Sequence, residues 1–296
     1  MNVATIVASL EEAVGLDGPP RDLALAIEAV LIERHGLPAI QAAERADRLR
    51  EKVALSISQR EVAISEAGGS PTLRVVGTTG GLVTGFCYAL PDEPPEIIAL
   101  RIRRAHAQSI YDRMRALTFQ EFEKFGARFL RELGAQIGRV TPHSNDQGID
   151  FYGEFSLGQL HAAPEPFLVL ARDVRLLFAG QAKHYPNRSI GPAVIRELIG
   201  ALTLARTKTH SADGVDIFKD LAVRPFSPVL ALIFTTGEFT GGAIRLAEAA
   251  GVIAKTGLQL AVFLADRGVG LIKEGESHIF SEQAFTAWLN SADETP

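Results

Sequence analysis

Apolar residues near the start of the chain recur at helical spacing and predict a mainly helical beginning. Large apolar residues on one side of each segment recur every three or four positions, as expected for helices that bury one face. These positions are Ile6, Leu10, Val14, Leu23, Ile27, Val30 and Leu31, continued by a series from Ile40 to Leu49. Gly18-Pro19-Pro20 and His35-Gly36-Leu37-Pro38 separate the helical segments, because glycine and proline interrupt regular structure.

A β-hairpin is predicted after a break at residues 68–71. Leu73–Val76 and Leu82–Phe86 have the composition of short strands, and the glycine-rich segment between them is typical of a turn. A further helix is predicted from about Glu96 to Leu117. Helices followed by a hairpin are compatible with a winged-helix DNA-binding module, and also with a dimerisation or regulatory module.

The clearest helix signal begins at Thr118. The sequence Thr118-Phe119-Gln120-Glu121 is a capping box, in which Thr118 and Glu121 satisfy each other's backbone N–H groups. An apolar stripe follows, and Gly134 is suited to end the helix. The stripe consists of Phe119, Phe122, Gly126, Phe129, Leu130 and Leu133.

Alternating and continuous apolar segments predict a sheet after this helix. Strands are expected near residues 136–141, 148–155, 167–183 and 229–234. The last of these is continuously apolar, which is typical of a strand buried on both faces. Helices are expected from Pro192 to Leu202 and from Thr240 to Gly251. The element order predicts an α/β fold with a mixed central sheet flanked by helices.

Composition narrows the class of protein. With 47% hydrophobic and 22% charged residues the chain is globular, and no apolar run or leader predicts a membrane or secreted location, so we expect a cytoplasmic protein. The single cysteine, Cys87, excludes an internal disulfide and a cysteine-based zinc site. The net charge of −5 is unusual for a nucleic-acid-binding protein. One dense basic cluster is either a solvated helix face or a DNA-backbone contact: Arg101, Arg103, Arg104, Arg113 and Arg115.

Asp150 is the first candidate site residue. It follows a glycine and precedes a predicted strand, and alternation directs its side chain opposite Ile149 and Phe151. A hard cation such as Mg²⁺ prefers carboxylate and carbonyl oxygens, so Asp150 can serve as a ligand. An aspartate in this position is also common as a simple turn or surface residue, and the assignment depends on the residues that follow.

Gln181 and Lys183 are the partners that strengthen this assignment. They lie two positions apart and therefore share one face of their predicted strand. The Gln181 amide and the backbone carbonyl of Ala182 can each supply an oxygen ligand. Lys183 can orient an attacking water or stabilise charge that develops on phosphorus. Each residue alone has a structural explanation; their order and spacing favour a common site.

Glu123 is a fourth candidate on the helix that begins after Thr118. Glu121 is explained by the capping box, whereas Glu123 is not used there. Glu123 lies along the edge of the apolar stripe, where a carboxylate can bind a metal directly or through water. An active-site role and a purely structural role are equally compatible with this position.

Further polar residues flank the same segments. His143 and His184 can contact phosphate or metal, or be hydrogen-bonded structural histidines. Thr235 and Thr236 can donate to a phosphate at a strand end or simply form the loop to the next helix. Arg172 and Arg188 are candidates for contacts with a DNA backbone.

These segments together resemble the Mrr-like branch of the PD-(D/E)XK nuclease superfamily. The similar segments are Glu121–Phe125, Thr141–Asp150, Gln181–Tyr185, Ile190–Pro192, Arg196–Leu202 and Ile233–Thr240. One departure is Gln147, where the family usually has glycine; it touches none of the proposed ligands. The resemblance covers roughly residues 115–270, and its motifs are specific only in combination.

The resemblance implies a Mg²⁺-dependent DNA endonuclease, with Mn²⁺ able to substitute. Asp150, Gln181 and Lys183 would form the core, assisted by Glu123, with Asp150, Ala182, Gln181 and Glu123 as metal ligands. The implied substrate is double-stranded DNA, cut in restriction or defence. A homodimer or higher oligomer is expected, because two copies most simply cut both strands.

Two alternatives remain open at this point. The chain can be a nuclease-fold sensor that binds nucleic acid without cutting, or a nuclease for RNA or branched DNA. In either case we expect residues 1–114 to form the N-terminal domain and 115–270 the catalytic domain. Residues 271–296 are expected to form an extension that packs on the core through Phe285 and Trp288.

Overall fold

The chain folds into two compact units. The computed structural model describes residues 2–77, 81–141, 148–156, 174–207, 227–275 and 277–291. One unit comprises Met1–Ile110 and Ala261–Ala284, and the other comprises Tyr111–Leu260 and Phe285–Pro296. Neither unit is therefore one continuous stretch of chain.

The core of the first unit is helical, as the apolar spacing predicts. Its helices are α1 (Val3–Val14), α2 (Leu23–Glu33) and α3 (Ala39–Glu66). The side chain of Asn2 caps α1 by accepting the Thr5 N–H, and Asp22 caps α2 by accepting the Leu25 N–H. One apolar face of each helix contributes to a common buried cluster.

A small antiparallel sheet packs beside these helices. It consists of β1 (Arg21–Asp22), β2 (Leu73–Val76) and β3 (Leu82–Gly85), in the order β1-β3-β2. The predicted hairpin is confirmed as β2 and β3, which pair antiparallel. The strand β1 could not be recognised from periodicity because it is only two residues long.

The single helix predicted from 96 to 117 is wrong, because the structure has α4 (Pro95–Arg104) and α5 (Ala107–Arg115). The His106 N–H bonds the Arg103 carbonyl, a three-residue spacing that tightens and ends α4. Arg104 pairs with both carboxylate oxygens of Asp266, at 2.7 and 2.8 Å. Arg101 binds Glu93 and the carbonyl of Phe86. These arginines of the basic cluster are held in contacts within their own unit.

Helix α6 (Phe119–Glu132) lies in the second unit and begins with the predicted capping box at Thr118. The apolar stripe is wrong at one position and incomplete at another, since Phe119 is 47% exposed and Phe125 is fully buried. Phe119 lies in the first turn, whereas Phe125 is covered by the ring of Trp288. Only the tertiary structure could reveal that this second side of the helix is covered.

The second unit is built on a five-stranded mixed sheet, ordered β4-β5-β6-β7-β8. The strands are β4 (Ile137–Val140), β5 (Phe151–Ser156), β6 (Arg175–Lys183), β7 (Val229–Thr235) and β8 (Ile253–Lys255). Neighbours from β4 to β6 are antiparallel, and β7 and β8 continue parallel to β6. The part of the third predicted strand before residue 174 lies outside the described residues.

Helices cover the sheet, so the predicted α/β fold with a mixed central sheet is confirmed. Helix α6 packs on β4, β5 and β6, and α7 (Pro192–Arg206) packs on β6, β7 and α8 (Gly241–Ala250). Helix α8 ends at Gly251, as predicted, and this glycine adopts a left-handed conformation. Leu177 and Ala179 of β6 join the cluster beneath α7 and α8. Odd-numbered residues of β6 therefore face α7, and even-numbered residues face α6.

The close approach of α6 to the sheet depends on two glycines that contact Phe151. A Cβ at Gly126 would lie 2.6 Å from the Phe151 Cε1, and a Cβ at Gly180 would lie 2.5 Å from its Cε2. The Phe151 ring also stacks on the ring of Phe234 in β7, at 5.1 Å between centroids. Helix and strand can both contact this ring only because both positions lack a side chain.

The chain ends with α9 (Gly257–Asp266), the hairpin β9 (Leu271–Glu274) and β10 (Ser277–Phe280), and α10 (Glu282–Asn290). In the second unit Phe285 is fully buried, and the Trp288 indole donates a 2.7 Å hydrogen bond to Glu132. Among the helices of the described ranges, none combines the length and hydropathy that a membrane span requires.

Substitution of Gly126 by alanine should destabilise the second unit, although alanine favours helices by about 1 kcal/mol over glycine. The added methyl overlaps the Phe151 ring, and overpacking of this kind costs about 1–3 kcal/mol. Gly200→Ala is the matched control, because Gly200 lies within α7 and its Cβ would meet nothing within 4 Å. Urea unfolding should show Gly126→Ala below wild type and Gly200→Ala at or above it; equal effects would contradict the proposed packing.

An acid-sensitive contribution to stability is expected from Glu93 in the first unit. Burial raises its pKa, but hydrogen bonds from Arg74 and the Leu90 N–H, with the charges of Arg74 and Arg101, outweigh this and lower the pKa to about 2. Because the pKa is lowered on folding, this stabilisation is present above the ordinary value of 4.5 and is lost as the pH falls towards 2.

Glu93→Gln should therefore cost about 1–3 kcal/mol at neutral pH, because it leaves the buried Arg74 and the partly buried Arg101 without their counter-ion. The gap between variant and wild type should narrow between pH 4.5 and 2, the window set by the shift of the Glu93 pKa. Glu44→Gln, at an exposed glutamate paired with Arg48 in the same helix, is the control and should change little. Chemical denaturation at several pH values measures the free energy of unfolding of wild type and of both variants.

Candidate active site

Asp150 lies at the point where the regular pairing of β5 with β6 ends. Its N–H donates to the Gly180 carbonyl at 2.9 Å, and its carbonyl accepts the Thr141 N–H at 2.9 Å. The carboxylate accepts the Ala182 N–H at 2.7 Å through Oδ2. A side-chain oxygen thus takes the place of the backbone carbonyl that would continue the ladder. With only 4% of its surface exposed, Asp150 is held firmly at the strand end.

The alternation expected around Asp150 is wrong in one respect. Ile149 joins Tyr152 in the cluster beneath α7 and α8, whereas Phe151 packs against Gly126 of α6. Ile149 and Phe151 therefore do not share a face. The reason is local: Gly148 has a positive φ of 84°, and β5 begins only at Phe151, so Ile149 and Asp150 precede the regular strand.

Gln181 is buried at the same end of the sheet, with 3% of its surface exposed. Its Oε1 has no hydrogen-bond partner among the described residues. A Cβ at Gly148 would lie 3.8 Å from the Gln181 Nε2, so the amide extends beside the turn that carries Asp150. The glycine at 148 leaves room for this side chain.

Lys183 is the last residue of β6 and is partly exposed. By alternation it shares the α7 side of the sheet with Gln181. Its carbonyl accepts the Tyr185 N–H at 3.0 Å and the Thr236 N–H at 3.3 Å, so the backbone is held from two directions.

Glu123 approaches the same end of the sheet from α6, with 2% of its surface exposed. It lies between Phe122, whose ring meets that of His184 at 5.7 Å, and Gly126, which packs on Phe151. Glu121 instead completes the capping box by accepting the Thr118 N–H at 2.7 Å. Glu123 thus lies on the helix that covers the face of the sheet opposite Gln181 and Lys183.

The remaining candidates differ in their accessibility. Arg188 is exposed, and its guanidinium lies 5.2 Å from the centroid of the Tyr185 ring. Thr235 and Thr236 are fully buried, and the Thr235 hydroxyl accepts the Gly237 N–H at 3.0 Å, which accounts for it as part of the loop after β7. His143 and Arg172 lie outside the described residues.

Several buried polar atoms without a hydrogen-bond partner in the described residues lie in or directly after β4, β6 and β7. They are the Thr141 Oγ1, Gln181 Oε1, His184 Nε2 and Thr236 Oγ1. An unsatisfied buried polar group costs about 1–3 kcal/mol, so such groups are uncommon without a ligand or water to bind. Thr141 was not recognised as polar lining from sequence, because it carries no distinguishing spacing.

The residues at this end offer an oxygen-rich set of ligands. Asp150 supplies a carboxylate, Gln181 an unpartnered amide oxygen and Ala182 a backbone carbonyl. The described residues contain no cluster of three or more His, Cys, Asp or Glu side chains that could hold a metal. A metal site here would therefore combine carboxylates with neutral amide and carbonyl oxygens. Hard cations bind both kinds of oxygen.

Comparison with known proteins supports the resemblance noted in the sequence. Residues 114–215 match the family model Mrr_cat, described as a restriction endonuclease, and this confirms the Mrr-like resemblance for that segment. No curated protein sequence matches the chain significantly.

Two solved structures are similar to the chain. One is the MspJI restriction endonuclease in complex with a 27-mer oligonucleotide, at 19% identity and TM-score 0.35, covering 61% of this chain and 36% of that chain. The other is the DNA modification-dependent restriction endonuclease AspBHI, at 18% identity and TM-score 0.36, covering 68% of this chain and 40% of that chain. This chain therefore spans less than half the length of either protein.

Removal of the polar group should lower the stability of the protein at Asp150 but not at Gln181. Asp150→Ala leaves the buried Ala182 N–H without its acceptor and should cost at least about 1–3 kcal/mol. Gln181→Met removes an unpartnered oxygen at similar volume and should be neutral or stabilising in metal-free protein. Asp150→Asn, which keeps an acceptor oxygen, is the control. Thermal unfolding in EDTA measures all three, and a strong loss in Gln181→Met would contradict its unpartnered state.

Proposed function

We propose that this chain, whose residues 114–215 match a restriction endonuclease family, is a metal-dependent endonuclease that hydrolyses phosphodiester bonds in double-stranded DNA. The observation that carries the proposal is the contact between the Asp150 carboxylate and the Ala182 N–H, beside the unpartnered amide oxygen of Gln181. The Gln181 oxygen has no hydrogen-bond partner in the described residues, and together with the Asp150 carboxylate its chemistry suits a bound cation.

Mg²⁺ is the proposed cofactor, with Mn²⁺ able to substitute, because both prefer oxygen ligands. Asp150, the Gln181 amide and the Ala182 carbonyl would hold it, with Glu123 as a direct or water-mediated ligand. The N–H and C=O of a strand residue point to the same neighbouring strand, so the Ala182 carbonyl shares the side of Asp150. When bound, such an ion would activate a water and stabilise charge on the phosphate.

Two side chains of β6 would take part directly: Gln181 as a ligand of the ion, and Lys183 through contact with the reacting groups. The Lys183 amine can donate to the attacking water or to a phosphate oxygen, and thereby hold the reacting groups in line. In-line attack of water on phosphorus, with departure of the 3′-oxygen, leaves a 5′-phosphate and a 3′-hydroxyl. The proton lost by water passes to solvent, and the leaving oxygen takes up another.

DNA binding is proposed for the surface around this site. Arg188 is exposed and can contact a phosphate, and His184 has an unpartnered ring nitrogen beside the Lys183 backbone. Thr235 and Thr236 would contribute only if DNA binding exposed them, since both are buried. We propose that a homodimer acts in restriction or defence and that the first unit contributes to target choice.

Plasmid cleavage tests the proposal directly. Wild-type protein should nick or linearise plasmid with Mg²⁺ and not with EDTA, and modified and unmodified DNA should both be tried. Asp150→Asn and Lys183→Gln should each reduce single-turnover cleavage by about 100-fold or more, because each removes a group that acts on the transferred phosphate. Folding of each variant is verified by circular dichroism.

Arg245→Gln is the matched control, at an exposed arginine of α8 away from the proposed ligands. It should cut at the wild-type rate. Binding of DNA without cutting on every substrate, unchanged in Asp150→Asn and Lys183→Gln, would contradict the nuclease and favour a sensor. Cutting restricted to RNA or branched DNA would retain the chemistry and change the substrate.

A further inference from the structure

The last turn of α5 contacts two segments that meet at the end of β6. The Arg115 Nη2 donates to the Pro186 carbonyl at 3.1 Å and to the Asn187 Oδ1 at 2.9 Å, in the loop that follows Lys183. The Tyr111 hydroxyl donates to the Thr236 carbonyl at 2.9 Å, directly after β7. One helix turn thus contacts the loop after each of two neighbouring strands.

These two contacts converge on Lys183. The Thr236 N–H donates to the Lys183 carbonyl at 3.3 Å, so the residue that Tyr111 holds is itself hydrogen-bonded to Lys183. The Asn187 and Pro186 contacts restrain the same strand end from its other side. The regular pairing of β6 with β7 ends at the Lys183–Thr235 pair. Past this pair, the hydrogen bonds of Tyr111, Arg115 and Thr236 hold the strand end in place of the ladder.

The arrangement of Tyr111 and Arg115 is closely packed. The Arg115 guanidinium lies 5.7 Å from the centroid of the Tyr111 ring, which couples the two side chains. A Cβ at Gly257 would lie 2.5 Å from the Tyr111 Cε2 and 3.2 Å from the Thr236 Cα. The absence of a side chain at Gly257 is what allows the ring to reach Thr236. Thr236, after β7, and Gly257, at the start of α9, therefore both lie close to the Tyr111 ring of α5.

We propose that Tyr111 and Arg115 are positioning residues that hold the backbone at Lys183 and thereby fix the place of its amine. The proposal rests on the nuclease function proposed for Lys183. A lysine amine is carried on a flexible four-carbon chain, so a fixed backbone is the first requirement for a fixed amine. Displacement of a reacting group by about 1 Å can cost about 100-fold in rate.

Tyr111→Phe and Arg115→Gln test the proposal, since each removes the hydrogen bonds and keeps most of the side-chain volume. Single-turnover cleavage should fall by about 10-fold to 100-fold in each, while the Kd for DNA changes by less than about threefold. Tyr88→Phe and Arg245→Gln are the controls and should keep wild-type rates. The Tyr88 hydroxyl makes no hydrogen bond in the described part of the chain, and Arg245 is exposed on α8.

Arg115→Lys separates positioning from a contact with DNA. Lysine keeps the charge but cannot hold both loop oxygens while lying on the Tyr111 ring, so the cleavage rate should fall part of the way towards that of Arg115→Gln. Wild-type cleavage by Arg115→Lys, together with a large loss of DNA affinity in Arg115→Gln, would mean that Arg115 is a phosphate contact and would overturn the proposal.

Hydrogen–deuterium exchange in metal-free protein without DNA gives a readout that does not need activity. Peptides that cover residues 181–191 and 233–240 should exchange faster in Tyr111→Phe and Arg115→Gln than in wild type and in both controls. Unchanged exchange there would overturn the proposal even if cleavage fell. A wild-type protein that cuts no substrate would instead refute the nuclease function, and the exchange result would still decide whether Tyr111 and Arg115 hold this strand end.

Discussion

Close contact of Phe151 with Gly126 and Gly180 is the constraint on which the second unit depends. The ring fills the space that two side chains would otherwise occupy, so α6 and β6 both reach it. Glycine within a helix costs about 1 kcal/mol relative to alanine, and this sequence accepts that cost at the centre of α6. Because Glu123 lies one turn before Gly126, the same contact determines how near its carboxylate comes to the end of the sheet.

The end of the sheet combines firm anchoring with incomplete hydrogen bonding. Asp150 is fixed by its own backbone and by the Ala182 N–H, yet the nearby Gln181 Oε1 and Thr236 Oγ1 are buried without a partner in the described residues. Packing alone would favour apolar groups at such positions, since an unsatisfied oxygen opposes folding. Such oxygens are consistent with the proposed binding site, because a fold commonly departs from its stability optimum where it must bind a ligand.

Several arginines of this protein are bound by groups of the fold itself. Arg101 and Arg74 neutralise Glu93, Arg104 pairs with Asp266, and Arg115 binds the loop after β6. An arginine held by a carboxylate or carbonyl contributes less to the attraction of DNA than its formal charge suggests. The net charge of −5 and the dense basic cluster are therefore poor guides to function, because neither distinguishes paired from exposed groups.

The sequence by itself determined α1, α2 and α3, the capping box at Thr118, the order of the α/β core and the Mrr-like motifs, because spacing and local hydrogen bonding set these features. It could not determine that α4 and α5 are separate, or that Ile149 and Phe151 lie on different faces. Both have local causes that periodicity does not show, namely the His106–Arg103 hydrogen bond and the positive φ of Gly148. The contacts of Asp150 with Ala182 and of Tyr111 with Thr236 instead join residues far apart in the chain. Periodicity assigns each residue to an element, but only packing decides which distant groups meet.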